Sequence, residues 1–236
     1  MDLTVRIQRY DPETDSAPHF EDYDLENVNA TDRILDLLNR IKWEIDGGLT
    51  YRRSCTHGIC GSDAVKINGR NRLACSVLVQ DIKLRKNLIQ IEPIPALPLE
   101  KDLLVDMSSF FEKYEIVKPY LIPKDAPPDR ERYQTNEDAE LLFESAKCIQ
   151  CGCCSSSCPS LWVNEDYIGP AAFLKAYRFI FDTRDNATAE RLDIIDTTDG
   201  LWRCHTIFNC VEACPKDIDI TWHISQLKKA ALRREI

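Results

Sequence analysis

Eleven cysteines in 236 residues, gathered in three groups, constrain this chain more than any other feature. Cys55, Cys60 and Cys75 form the first group, Cys148, Cys151, Cys153, Cys154 and Cys158 the second, and Cys204, Cys210 and Cys214 the third. A disulfide framework needs pairs and an oxidising compartment. The count is odd, and the opening residues 1–8 hold no uninterrupted apolar stretch, so no signal peptide is expected. Buried structural cysteines have no reason to cluster. Metal ligation is therefore the leading reading. The net charge of −9 argues against a nucleic-acid binder, which would carry a basic face. A hydrophobic share of 44% and a charged share of 29% suit a globular chain and not a disordered one. No apolar run approaches the roughly 18 residues of a membrane span.

Periodicity divides the chain near residue 105. Leu3, Val5 and Ile7 alternate with Thr4, Arg6 and Gln8, which predicts a half-buried strand over 3–10. Turn chemistry follows at 11–16, and residues 20–25 return as a second strand. From Thr31 the spacing turns helical, with Ile34, Leu37, Leu38 and Ile41 on one face, Thr31 or Asp32 as the cap, and Gly47-Gly48 beyond the end. Asn68-Gly69 between two apolar runs predicts a hairpin with a type I′ turn, and residues 87–91 a last strand. Beyond, helices are expected over 106–118, 137–147, from Pro170 through Phe181, and over 219–234, with a proline-rich charged strap at 119–138. The domains expected are thus 1–105, mostly strand, and 106–236, helical.

The first cysteine group, Cys55-Thr-His-Gly-Ile-Cys60-Gly-Ser-Asp63 followed by Cys75, matches the plant-type spacing C-x4-C-x2-C…C, with Asp63 standing where the third cysteine would be. A 2Fe–2S cluster takes four anionic ligands, and a carboxylate can supply one. Gly58 and Gly61 let the loop bend closely and turn its amides toward the sulfurs. A zinc loop or a reactive thiol, with Asp63 as a helper, is the competing reading, but zinc sites usually show paired C-x2-C hooks. His57 lies inside the loop, although the spacing calls for no histidine there.

The second group is a complete C-x2-C-x2-C-x3-C-P run, Cys148 to Pro159. The third, Cys204 to Pro215, repeats that spacing with Ile207 in the second cysteine position. In two-cluster ferredoxins the fourth cysteine of each run ligates the other cluster. Crossing them gives Cys148, Cys151, Cys154 and Cys214 for 4Fe–4S, and Cys158, Cys204 and Cys210 beside Ile207. Three thiolates with an apolar fourth corner fit 3Fe–4S. The alternative is a 4Fe–4S cluster whose last iron takes water, which a branched alkyl group disfavours. Three such clusters use ten cysteines and Asp63, leaving only Cys153 for packing. Residues 148–164 and 204–211 carry no Asp, Glu, Lys or Arg. Either cluster loops need small uncharged residues, or this surface is covered by a partner or by lipid.

A plant-type half followed by this two-run half resembles the family of iron–sulfur subunits of succinate dehydrogenase, respiratory complex II, and its close relative in quinol:fumarate reductase. The motifs that carry the resemblance are Arg52-Arg53-Ser54-Cys55, Gly58-x-Cys60-Gly-Ser-Asp63, Cys158-Pro-Ser-x-Trp162, Gly169-Pro-Ala, Ala176-Tyr-Arg-Phe and Arg203-Cys204-His205. The resemblance implies an α+β fold class, with an N-terminal plant-type ferredoxin (β-grasp) domain and an all-helical bacterial-ferredoxin-like domain. It implies an electron relay in the tricarboxylic acid cycle. Electrons pass from FAD on a partner flavoprotein, through 2Fe–2S, 4Fe–4S and 3Fe–4S centres, to a membrane quinone. Running the relay backwards, as in fumarate reduction, is the alternative. The resemblance also implies one or two membrane-anchor subunits, with or without heme, and a peripheral place on the cytoplasmic face of a bacterial inner membrane.

This chain has no G-x-G-x-x-G fingerprint after a strand, as a flavin carrier would. Carried over by motif, the quinone contacts are Pro159, Ser160, His205 and Ile207. Many ubiquinone-using members carry a second tryptophan after Trp162. Val163 stands there, which removes an indole donor and leaves open another quinone, such as menaquinone, or a shifted pose. His205 has a second reading as a donor to cluster sulfur, and His19 and His223 read as surface or packing residues. Two readings from other classes are a free-standing ferredoxin-type carrier, for which the chain and its strap are long, and a redox-silent zinc scaffold.

Overall fold

The computed structural model describes residues 1–233, so Arg234, the last residue of the expected final helix, lies outside the described residues. The chain gathers into two compact units, 1–107 together with 149–157, and 108–148 together with the chain from 158 onward.

In the first unit, strand β1 (Leu3–Arg9) pairs antiparallel with β2 (His19–Leu25). The two-residue period of a strand sends Leu3, Val5 and Ile7 into the core and Thr4 and Arg6 outward. Helix α1 (Ile34–Arg40) buries Ile34, Leu37 and Leu38, and Ile41 continues that face into a π-helical turn, Ile41–Ile45. Neither Thr31 nor Asp32 caps it. Arg33 does, because its amide, held where Arg33 bridges Leu78, donates to the Asp36 carboxylate at 2.9 Å. Strands β3 (Ala64–Ile67) and β4 (Arg70–Leu73) form the expected hairpin, with Asn68 at φ 44° and Gly69 at φ 83° as a type I′ turn requires.

Strand β5 (Leu88–Glu92) runs parallel to β1 and antiparallel to β3, giving the order β2-β1-β5-β3-β4. Parallel neighbours need a crossover. Here the crossover contains α1, the loop of the first cysteine group and the β3–β4 hairpin, so that loop runs from the helical turn at Ile41–Ile45 into strand β3. A small ribbon of β6 (Leu99–Lys101) and β7 (Leu104–Val105) closes the unit. Its buried Asp102 accepts from Tyr10 N at 3.0 Å, Thr50 N at 2.7 Å and Arg9 Nε at 3.0 Å, tying the ribbon to β1 and to the start of the cysteine loop.

Helix α2 (Ser108–Glu115) opens the second unit, and α3 (Asn136–Ala146) follows a strap without helix or strand over 119–135. The Thr135 hydroxyl caps α3 by accepting from Asp138 N at 3.1 Å. The short helix α4 (Cys153–Ser156) belongs to the first unit, where it packs on β4 and Asn71 Nδ2 donates to Ser157 Oγ at 2.8 Å. The second unit resumes with α5 (Pro159–Val163), α6 (Pro170–Ile180), α7 (Thr188–Ile195), α8 (Asn209–Glu212) and α9 (Ile220–Arg233). Pro170 takes the first helical position of α6, whose packing on α9 forms the core. The fully buried Arg191 guanidinium pairs with Asp185 and donates to the carbonyls of Lys118 and Tyr120, anchoring the strap where it leaves α2. Among the described residues no helix is long and apolar enough to cross a membrane.

Candidate metal centres

The first loop places Cys55 beside Cys60 and Asp63 beside Cys75, all within one unit. Cys55 Sγ accepts from the amides of Ile59 at 3.4 Å and Cys60 at 3.3 Å, and Cys75 Sγ accepts from Gly58 N at 3.3 Å. The His57 amide most of all, then those of Cys60 and Ile59, pull the Cys55 thiol down to about 6. Burial, reinforced by the neighbouring Asp63 carboxylate, pushes the Cys75 thiol up to about 11. His57 turns its Nδ1 to the Cys55 carbonyl.

Asp63 is 4% exposed, and its Oδ2 accepts from Cys75 N at 2.6 Å. Its Oδ1 is buried with no hydrogen-bond partner among the described residues. A carboxylate oxygen stripped of water and left unpaired costs stability, and a metal ligand bond is what would satisfy it. The donor set fits an iron–sulfur group. Gly61, at φ +70°, allows close approach to the second run, since a Cβ there would lie 2.8 Å from Cys151 Cβ.

The two runs share one backbone device. Around Cys151, Gln150 and Gly152 are both left-handed, at φ 57° and 79°. Around Ile207, Thr206 and Phe208 take φ 58° and 70°. Ile207 therefore sits between two left-handed neighbours as Cys151 does in the first run. Phe208 holds there a conformation that glycine holds in the first run, at a cost of roughly 1–2 kcal/mol. Of the remaining expected ligands, Cys154 is buried on α4 and Cys148 and Cys214 are half-buried, while Cys153, expected to pack, is fully buried.

In the second unit Cys158, Cys204, Cys210 and Ile207 line one depression of about 330 Å³, part of it open to solvent. Burial pushes the Cys158 thiol up and the Cys210 thiol up to about 11. Pro159, Ser160 and His205 line the same space. Ser160 Oγ donates to the Arg203 carbonyl at 3.1 Å and Lys228 Nζ to the Cys204 carbonyl at 2.8 Å, fixing the turn between them. Val163 is not in this lining. It ends α5 with 80% of its surface exposed. Ile207 is 49% exposed and by itself only half-closes its corner. Trp162 and Phe208, 52% and 50% exposed, continue this uncharged apolar surface.

Two further histidines separate. His19 is exposed, whereas His223 is fully buried with Nδ1 on the Asp219 carbonyl and its ring edge-on to Tyr177. The motifs passed over Tyr167, which is 1% exposed and lines the third-group depression. The signal available was a tyrosine in the short segment that joins an uncharged cluster run to the Gly169-Pro170 helix start.

A model for the 2Fe-2S iron-sulfur cluster binding domain matches residues 4–112, and one for the 4Fe-4S dicluster domain matches residues 140–215. Over 233 residues the chain is 46% identical to the mitochondrial succinate dehydrogenase [ubiquinone] iron-sulfur subunit 1 of Oryza sativa subsp. japonica, covering 97% of this chain and 82% of the rice protein. It is 43% identical over 229 residues to the succinate dehydrogenase iron-sulfur subunit of Paracoccus denitrificans, covering 97% of this chain and 87% of that one. Among solved structures, a chain of the Mycobacterium smegmatis Sdh1 complex in the apo form superposes with a TM-score of 0.89 at 28% identity, over 99% of this chain and 97% of that chain.

Proposed function

The chain belongs to the family of succinate dehydrogenase iron–sulfur subunits, and from that premise we propose how its residues divide an electron relay among three centres. Its role is electron transfer within an oxidoreductase complex. The names its relatives carry favour succinate oxidation over the fumarate reductase direction. In this reading the first unit is a plant-type, β-grasp ferredoxin fold and the second a helical bacterial-ferredoxin-like fold.

Cys55, Cys60, Asp63 and Cys75 hold a 2Fe–2S cluster, Cys148, Cys151, Cys154 and Cys214 a 4Fe–4S cluster, and Cys158, Cys204 and Cys210 a 3Fe–4S cluster. When bound, these groups supply one-electron chemistry that no side chain offers. The chain's own residues set the conditions for it. The amides of Gly58, Ile59 and Cys60 point at cysteine sulfurs and stabilise negative charge there. Asp63 presents an unpaired oxygen in place of a thiolate. Ile207 denies the third centre a fourth ligand. The observation that carries the assignment is the left-handed pair bracketing both Cys151 and Ile207, which supports two cluster turns differing by one thiolate.

A flavoprotein with FAD delivers the electrons, and membrane-anchor subunits cover the uncharged face of Trp162, Val163, Ile207 and Phe208. The complex is then peripheral on the cytoplasmic face of a bacterial inner membrane. A quinone accepts the electrons beside Pro159, Ser160 and His205, whose ring can donate to a reduced quinone oxygen. EPR of the purified complex tests the reading. The air-oxidised sample should show a three-iron signal, and succinate should abolish it while raising a 2Fe–2S signal. Absence of the three-iron signal would refute the assignment of the third centre.

A further inference from the structure

The turn that carries Cys151 and Cys154 is seated on the first cysteine loop within one unit. Gly61 lies between Cys60 and Asp63 at φ +70°. A Cβ built there would come 2.8 Å from Cys151 Cβ, 3.0 Å from Cys151 Cα and 3.0 Å from the Ile149 carbonyl oxygen. Only a residue without a side chain lets the two segments meet this closely. On the same turn a Cβ at Gly152 would lie 3.2 Å from Met107 Cε and 3.5 Å from Ile94 Cδ1, so apolar side chains of the unit close over it. Past α4 stands Asn71 on β4, 4% exposed. Asparagine is depleted in strands, and a buried amide must be hydrogen-bonded. Asn71 Nδ2 donates to Ser157 Oγ at 2.8 Å and to the Cys153 carbonyl at 3.4 Å, which uses both of its hydrogens.

We infer that Gly61 and Asn71 are positioning residues that set the separation between the first and second centres. The inference rests on the reading of Cys60 and Asp63 as ligands of the 2Fe–2S centre and of Cys151 and Cys154 as ligands of the 4Fe–4S centre. Gly61 fixes how near the centres come, because it offers bare backbone to Cys151 from between two ligands of the first centre. Asn71 keeps the turn from receding, because it clamps both ends of α4 to a strand of the sheet. In the step concerned, one electron leaves the reduced 2Fe–2S centre and enters the oxidised 4Fe–4S centre. No bond forms or breaks, and no proton moves. Electron tunnelling falls off exponentially with distance, so a displacement too small to cost either centre its ligands still slows the transfer. A close-packed interior passes such a displacement on, since it holds no void to absorb it.

The test is EPR of the whole complex, reduced with dithionite so that both centres are paramagnetic, in Gly61→Ala and Asn71→Leu. The first adds one methyl group against Cys151, and the second deletes both clamping hydrogen bonds at nearly constant volume. The spins of the two centres relax each other, and that effect weakens steeply as they move apart. In both variants the 2Fe–2S signal should keep its parent intensity and midpoint but saturate at lower microwave power. Rapid-freeze measurement of electron arrival at the 4Fe–4S centre should show a severalfold slower rate. Parent saturation behaviour and rate in Asn71→Leu, with both signals at full intensity, overturn the inference alone. A parent complex lacking either signal overturns the ligand reading and this inference together. Should Gly61→Ala not assemble, Asn71→Leu decides the matter, because its substitution lies on β4, away from both ligand loops.

Discussion

Replacing Asp63 separates a structural carboxylate from an iron ligand, because its two oxygens do different things. Oδ2 accepts the buried Cys75 amide at 2.6 Å, and Oδ1 has no partner among the described residues. A charge-assisted hydrogen bond of this kind contributes about 1.5–3 kcal/mol. Losing about 2 kcal/mol in a chain of this length lowers the melting temperature by roughly 4–8 °C. Asp63→Ala should show that loss, whichever role Asp63 has. Asp63→Asn keeps an acceptor for the amide and should recover most of it. If Asp63 serves only the amide, the 2Fe–2S potential in the Asn variant stays put. If Oδ1 binds iron, Asn removes a negative charge from the metal, and the potential should rise by a decade or more of the one-electron equilibrium, at least about 59 mV. Asp63→Cys should retain the cluster at a lower potential, since thiolate donates more charge. The assay is EPR-monitored redox titration of the 2Fe–2S signal in the intact complex, alongside a thermal melt. An unchanged signal and potential in Asp63→Ala would refute the ligand role outright.

Ile207→Cys should convert the third centre to a four-iron cluster of lower potential, since its backbone already matches that of Cys151. A three-iron EPR signal of full intensity in that variant would show that the cavity, and not the missing thiolate, sets the cluster type. His205→Ala should slow quinone reduction severalfold while leaving dye-linked succinate oxidation near the parent rate. Equal loss in both assays would place the effect upstream of the quinone. Val163→Trp, at an exposed position, should change stability by no more than about 0.5 kcal/mol yet alter quinone preference, which rates with ubiquinone and menaquinone analogues would measure. Asp182 tests acid stability. Burial would raise its carboxyl, but Arg184 and Arg178 more than offset that and hold it at about 2. A lowered carboxyl contributes stability above its unfolded value near 4, and that contribution is lost as pH falls toward 2. Asp182→Asn should therefore cost about 2 kcal/mol at pH 7 and little near pH 2, as denaturant midpoints at the two pH values would report.

What the sequence determined by itself was whatever rests on short spacing. Leu3, Val5 and Ile7 alternate because a strand repeats every two residues, and Asn68-Gly69 turns because both can take positive φ. The cysteine runs name candidate ligands because a cluster loop needs them a few residues apart. The cap at Arg33 was hidden, because a bridge to Leu78 selects it over Thr31 and Asp32. Tertiary structure alone decided that 149–157 packs with the first unit and that Gly61 lies against Cys151. It alone decided that Val163 faces solvent, that Asp63 Oδ1 is left unpaired and that Tyr167 lines the third-group depression. Each of these depends on which side chains, tens of residues apart, exclude water from a polar atom or leave it exposed. Local periodicity carries no record of that, because burial is a property of the packed chain and not of the segment.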